Sequence, residues 1–191
     1  MSYTINDPSN IIRILTGAED KSGAIAVLDL EHHEIHKGNY YYSDYYQAVL
    51  AGSGGVIVWG IDTGAHSVHL KPTNLNVPDS NNVTIEFYEE AEYTDGTPLV
   101  ITNRNYNSTN ETAVSQVIAP TVEDNGNLKR SFRLLGISGQ GNTRQGGRLG
   151  TEQEYVLKPD TKYLVRIVNN DSVATRITLG SEWYEVDISG A

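Results

Sequence analysis

Short apolar or alternating runs, each cut off by a turn signal, recur along this chain, and no apolar repeat of helical period persists for three turns. That rhythm constrains the fold more than any other feature. Val83, Ile85 and Phe87 alternate with polar or amphipathic neighbours, as do Tyr163, Val165 and Ile167, which is the period of two expected when one face of a strand is buried. Further strand candidates are residues 24–30, 39–47, 56–59, 68–71 (stopping at Pro72), 99–102, 113–118 and 155–157, and a last one through Ile177, Leu179 and Trp183 to Val186. Between them stand Gly52-Ser53-Gly54-Gly55, Asp95-Gly96, Asp124-Asn125-Gly126-Asn127, Lys158-Pro159-Asp160-Thr161 and Asn169-Asn170-Asp171-Ser172, all turn chemistry. Many short strands at this spacing predict an all-β sandwich, jelly roll or barrel.

Residues 1–23 read as an N-terminal arm. Asn6-Asp7-Pro8 is turn-forming, and Ile11, Ile12, Ile14 and Leu15 are too few to fold alone, so the segment is expected to dock on something or stay mobile. Residues 24–191 form the sandwich domain. The start of the chain lacks a basic segment followed by an apolar run, and no stretch approaches the ~20 apolar residues of a membrane-spanning helix. The expectation is a soluble protein made in a cytoplasm, with no membrane partner. The absence of cysteine removes disulfides, thiolate metal sites and cysteine nucleophiles together.

A net charge of -10 argues against a nucleic-acid partner, which requires a basic face. The charge is uneven. Residues 126–151 contain Lys129, Arg130, Arg133, Arg144 and Arg148 and no acidic residue. Such a basic, Gly-rich segment on an acidic body suggests contact with an acidic surface such as a neighbouring subunit, set against a solvated loop that happens to be basic. The glycines of 136–150 lack the Walker lysine pattern and read as a flexible loop, not a phosphate cradle.

Two clusters invite chemistry. In Glu31-His32-His33-Glu34-Ile35-His36, an extended backbone would put His32, Glu34 and His36 on one face, ~6.5–7 Å apart in sequence steps of two. Those are weak candidates for a divalent-metal site, with His66 or His69 as added ligands if the fold brings them near; the alternative is a polar strand edge of hydrogen-bonding histidines. No cofactor is expected. Among the twelve tyrosines, Tyr40, Tyr41, Tyr42, Tyr45 and Tyr46 are clustered, and alternation places Tyr40 and Tyr42 on one face with Tyr41 on the other. The plain reading is core and sheet-surface packing, although not all of them can be core; of the functional readings, an oligomer interface is favoured over a sugar-stacking platform. No nucleophile-elbow motif is present, and the chain is not expected to be an enzyme.

The segment Val27-Leu28-Asp29-Leu30-Glu31-His32-His33-Glu34-Ile35-His36-Lys37-Gly38-Asn39-Tyr40 resembles a family of tailed-bacteriophage virion proteins that carry E-H-H-E-I-H-x-G near their start. Phe87-Tyr88-Glu89-Glu90-Ala91 with Thr94-Asp95-Gly96-Thr97, then Asn103-Arg104-Asn105 with Asn107-Ser108-Thr109, are similar to later stretches of that family, as are residues 157–167 and Trp183-Tyr184-Glu185. Glu90 stands where the family has Gly, and the first ~24 residues have no clear counterpart. The resemblance implies a head decoration (cement) protein: a jelly-roll-like β-sandwich on the capsid surface of the virion. Its partners would be the major capsid protein and copies of itself, as a homotrimer. Interface candidates are then Ile11, Ile12, Ile14, Tyr40, Tyr42, Arg130, Arg133, Arg144 and Arg148. The rival readings are a host- or glycan-binding virion module stacking sugars on tyrosines and Trp59, and a metal-dependent jelly-roll enzyme using His32, Glu34 and His36.

Overall fold

A computed structural model describes residues 30–52, 54–77, 82–135, 147–148 and 154–186. The N-terminal arm, with Ile11, Ile12 and Ile14, and the loop residue Arg144 lie outside the described residues. In chain order the elements are α1 (Leu30–Lys37), β1 (Tyr40–Leu50), β2 (Val56–Asp62), β3 (Ser67–Val77), β4 (Asn82–Glu89), β5 (Glu92–Thr94), β6 (Thr97–Pro98), β7 (Thr102–Asn103), β8 (Ser115–Ile118), β9 (Thr121–Asp124), β10 (Asn127–Leu135), β11 (Gly147–Arg148), β12 (Tyr155–Leu157), β13 (Lys162–Asn169) and β14 (Thr175–Val186).

The protein is an all-β sandwich of two antiparallel sheets. The first runs β11–β3–β14–β1–β7, with β12 also on β3; the second runs β10–β4–β13–β2–β8–β6. From β1 to β4 successive strands alternate between the sheets, and they alternate again from β10 through β11 and β12 to β13 and β14. Between β4 and β10 the chain inserts a two-stranded ribbon, β5–β9, and the short strands that widen each sheet.

The core lies between the sheets and follows from the pleat. On the first sheet Tyr41, Trp183 and Leu70 share one register row and point inward; on the second, Trp59, Val165 and Phe87 do the same. Trp183, Ile61, Ile167, Val68 and Val83 are wholly buried. Each such aliphatic side chain contributes ~1.5–3 kcal/mol of transfer free energy. The outer face of the second sheet has its own small cluster, where Ala91 and Tyr93 of the ribbon segment cover Leu164.

Three local expectations are corrected. The histidine segment is helical, not extended. Glu31 lies in the first turn and His36 and Lys37 in the last, which suits the helix dipole. The helix ends in a Schellman motif: Gly38 has φ +77°, its N–H donates to Ile35 O at 3.0 Å, and Asn39 N–H donates to Glu34 O at 3.0 Å. A side chain at Gly38 would also collide with Ser108. Second, β3 continues past Pro72: Ser181 of β14 pairs with Pro72 and Gly180 with Asn74, which leaves Thr73 as the extra residue of a bulge, a place in a sheet where proline is tolerated. Third, the basic segment opens as a strand. Arg130, Phe132 and Leu134 of β10 pair with the inward row Phe87, Ile85 and Val83 of β4. Their apolar alternation is interleaved with the charges that made the segment read as loop.

The expected strand at 99–102 is replaced by β6 and β7 on either side of it. Asp95-Gly96, expected as a tight turn, links β5 to β6 of a different sheet, with φ of +57° and +100°.

Candidate functional site

The most elaborate polar constellation covers the outer face of the first sheet, beneath α1. Tyr40, Tyr184 and His69 form one outward register row, and Tyr42, Glu182 and Lys71 form the next. Tyr40 stacks on Tyr184 with ring centroids 6.2 Å apart, and Tyr184 stacks on His69 at 4.4 Å. The Tyr40 hydroxyl faces two carboxylates, Glu31 Oε1 at 2.8 Å and Glu182 Oε2 at 2.9 Å. Each carboxylate has its own cation: Lys71 Nζ donates to Glu31 at 2.6 Å, and Arg104 donates to Glu182 at 2.6 Å. Farther along, Tyr184 donates to Glu154 at 2.9 Å, and the His69 ring meets the same oxygen at 2.5 Å.

The electrostatics follow from this packing. Burial, then the Glu31 and Glu182 contacts, push the Tyr40 phenol far above its ordinary value, because a phenolate there would sit against two carboxylates. Burial and Glu154 do the same to Tyr184. Burial works to raise Glu31, but the bonds from Lys71 and Tyr40 outweigh it and hold the carboxyl below its usual range. Tyr40 and Tyr184 are thus neutral donors, and Glu31 is ionised at neutral pH.

α1 is seated on this face by more bonds of the same kind. Glu34, its buried residue, accepts from Asn39 Nδ2 at 3.1 Å and Lys37 Nζ at 3.2 Å. Asn103, Asn105 and Asn110 donate from the loop around β7 to the carbonyls of Gly38, His36 and Lys37. The segment from Glu31 to Tyr40 therefore holds a helix onto a sheet.

The metal candidates are divided by the helix. His32 and His36, four residues apart, meet with Nε2 atoms 2.9 Å apart on the exposed side, while Glu34 turns to the sheet. His66 bonds to the buried carboxylate of Glu185 at 3.0 Å, and His69 is committed to Glu154. Among the described residues no group of three or more His, Cys, Asp or Glu side chains is placed to hold a metal ion.

The interface candidates separate likewise. Tyr40 has no exposed surface and cannot serve a partner, because α1 and the two carboxylates enclose it. Tyr42, on the same face, is half-buried and meets the 80% exposed Tyr106 through hydroxyls 3.3 Å apart. Arg130 is also engaged within the chain. It bonds to the Tyr155 hydroxyl and lies 4.8 Å from the Phe132 ring centroid, lacing β10 of one sheet to β12 of the other. Arg133 is on the outward side of β10 and exposed. The backbone of Arg148 pairs with Asn76, and its side chain is outside the described residues. Trp59 is a core residue at 6% exposure, its indole N–H without an acceptor among the described residues, so it offers no sugar platform.

Other features escaped sequence reasoning because they join residues distant in the chain. The carboxylate of Glu185, 4% exposed, gathers Thr112 Oγ1, Ala113 N–H at 3.0 Å, Trp183 Nε1 at 3.2 Å and His66. It ties the loop before β8 to the centre of the first sheet and, after burial itself, pushes the Tyr41 phenol up to about 12. Glu89, buried at the sandwich end, takes Lys129 and Lys158, the latter at 2.8 Å. An open depression near it is lined by Asp62, Glu90, Glu92, Asp160 and Lys162. No helix among the described residues is long and apolar enough to cross a membrane.

No family model matches this chain, and a search of curated proteins finds no relative.

Proposed function

We propose that this chain is a virion structural protein of a tailed bacteriophage, a capsid decoration protein that binds the outer shell and stabilises it by bridging capsomers. The observation that carries this reading is the role of the segment that resembles the virion family. Glu31 and Tyr40 tie α1 to the first sheet, the backbone of Gly38 and Asn39 caps the helix and meets Asn103 and Glu185, and the buried Glu34 bonds back to Lys37 and Asn39. A scaffold role accounts for each of those residues, whereas the metal-enzyme reading needs Glu34 beside His32 and His36.

The strand order supports the same reading. With the short inserted strands set aside, the sheets run β1–β14–β3–β12 and β2–β13–β4–β10, with sequence neighbours on opposite sheets except β4 and β10, which pair within the second. We read this as a jelly roll, two interleaved Greek keys of eight strands. Shell binding by such a module rests on many weak contacts repeated over a lattice, which gives avidity without a deep pocket. The partners are the major capsid protein and further copies of this chain, a trimer in our reading. With Tyr40 and Arg130 engaged internally, the docking side chains narrow to Tyr42, Arg133, Arg144, Arg148 and the N-terminal arm.

Cryo-electron microscopy of the virion tests this directly. Density for the sandwich on the outer face of the shell, between capsomers, is the expected result. Density confined to the neck or tail would refute decoration. Charge reversal at Arg144 and Arg148 is expected to lower occupancy on the shell, and unchanged occupancy would remove those two residues from the contact.

A further inference from the structure

One pair of side chains on α1 takes no part in holding the helix down. His32 and His36 are exposed and turned to each other, with Nε2 atoms 2.9 Å apart and the rings edge-to-face at 71°. Two imidazole nitrogens bound to one metal at ~2.0–2.1 Å are separated by a distance that the coordination angle sets. It is ~3.3–3.4 Å at the tetrahedral angle and ~2.9 Å at a right angle. The 2.9 Å here is set by the hydrogen bond between the two rings, and it brings both Nε2 atoms within the range that one shared ion requires.

We propose that His32 and His36 form a two-imidazole site for a divalent transition ion that prefers square or octahedral coordination, Cu²⁺ above all and Ni²⁺ next. Both rings would bind through Nε2 in adjacent positions, and water would fill the rest. The ring that now donates in the His–His hydrogen bond carries its hydrogen on Nδ1 once the ion is bound, so no net proton is released. Imidazole suits Cu and Ni, and affinity at a nitrogen site rises towards Cu²⁺ along the first-row series. No cysteine thiolate competes anywhere in the chain.

The site is held ready by the scaffold. Asn105 Nδ2 donates to His36 O at 3.1 Å, Asn110 Nδ2 to Lys37 O at 3.1 Å, and Asn103 Nδ2 to Gly38 O at 2.8 Å. Glu31 anchors the first turn through Lys71 at 2.6 Å. Both turns that carry the histidines are thereby braced, and the two rings start within reach of a shared ion.

The test is a Cu²⁺ titration of the full chain by calorimetry, with electron paramagnetic resonance of the one-equivalent complex. Wild type is expected to bind one ion with hyperfine structure from two imidazole nitrogens, and to bind Zn²⁺ more weakly. His32→Ala and His36→Ala should each weaken Cu²⁺ binding at least tenfold, with an unchanged circular dichroism spectrum since both positions are exposed. His33→Ala should bind as wild type. Wild-type affinity in both single variants, loss in His33→Ala, or a spectrum with one imidazole nitrogen would overturn the assignment.

Discussion

Gly60→Ala tests how the β5–β9 ribbon is seated. Gly60 lies on the outer face of β2, opposite Leu164 of β13, and a Cβ there would stand 2.7 Å from Tyr93 Cζ, 2.8 Å from Cε2 and 3.0 Å from the hydroxyl oxygen. Ordinary carbon contacts fall at ~3.5–4.0 Å, so the ring must withdraw by about 1 Å. It has little room. Leu164 beneath it has no exposed surface, and Lys162 Nζ is bonded to the Tyr93 carbonyl at 3.1 Å and lies 5.0 Å from the ring centroid. Overpacking of this kind costs ~1–3 kcal/mol. Relief of glycine's backbone entropy works in the opposite direction by ~0.5–1 kcal/mol. The steric term wins, for a net loss of about 1–2 kcal/mol, read as a lower urea midpoint. For a domain of this size Tm falls ~2–4 °C for each kcal/mol. Tyr93→Leu removes the colliding atoms. In that background Gly60→Ala should cost less than ~0.5 kcal/mol, a coupling of at least ~0.5 kcal/mol between the two sites. An equal cost in both backgrounds would refute the contact, as would no cost in wild type.

Tyr40→Phe removes the one donor shared by Glu31 and Glu182 while keeping the ring that stacks on Tyr184; a loss of about 1–3 kcal/mol in urea unfolding is expected. A variant as stable as wild type would mean that Lys71 and Arg104 satisfy the two carboxylates unaided. Glu89 is held below its ordinary value of 4.5 by Lys129 and Lys158. A depressed carboxyl contributes stability that is present above the unfolded pKa and lost as pH falls through the lower folded one. Urea midpoints from pH 7 to pH 3 should therefore drop less steeply below pH ~4.5 in Glu89→Gln than in wild type. Parallel curves for the two proteins would contradict it.

Much of the sandwich is legible in the sequence because β4, β13 and β14 each turn one face to the core, and period two is visible at Val83, Ile85 and Phe87 or at Tyr163, Val165 and Ile167. The helix is not legible by that route. Its buried residue is a glutamate and its leading apolar residue, Leu30, is 52% exposed, so α1 has no apolar stripe. The signal that was present is the stop, Lys37-Gly38-Asn39, whose glycine takes the left-handed cap. The clamp on the outer face is illegible for a different reason: Tyr40 meets Glu182 across most of the chain's length, and only the register of β1 on β14 brings them together. For Arg130, charge pointed to a partner molecule. Its planar cation instead spans Phe132 and Tyr155, a use of arginine that composition cannot distinguish from docking.

The placement of β13 and β14 has a consequence for how the chain comes to be folded. β13 lies between β4 and β2, and β14 between β3 and β1, so the last two strands described occupy interior positions in both sheets. During synthesis, β1 and β3 have no neighbour to share, and neither do β2 and β4, until the ribosome has released residues beyond 160. A nascent chain stopped before then holds strand edges and half of a core with nothing to close them. Completion of both sheets thus waits for β13 and β14 and proceeds through distant pairings, which are slow to form. A truncated product would present open edges to its neighbours, an aggregation hazard. The two closing strands thereby make the finished core conditional on the most distant pairings in the fold.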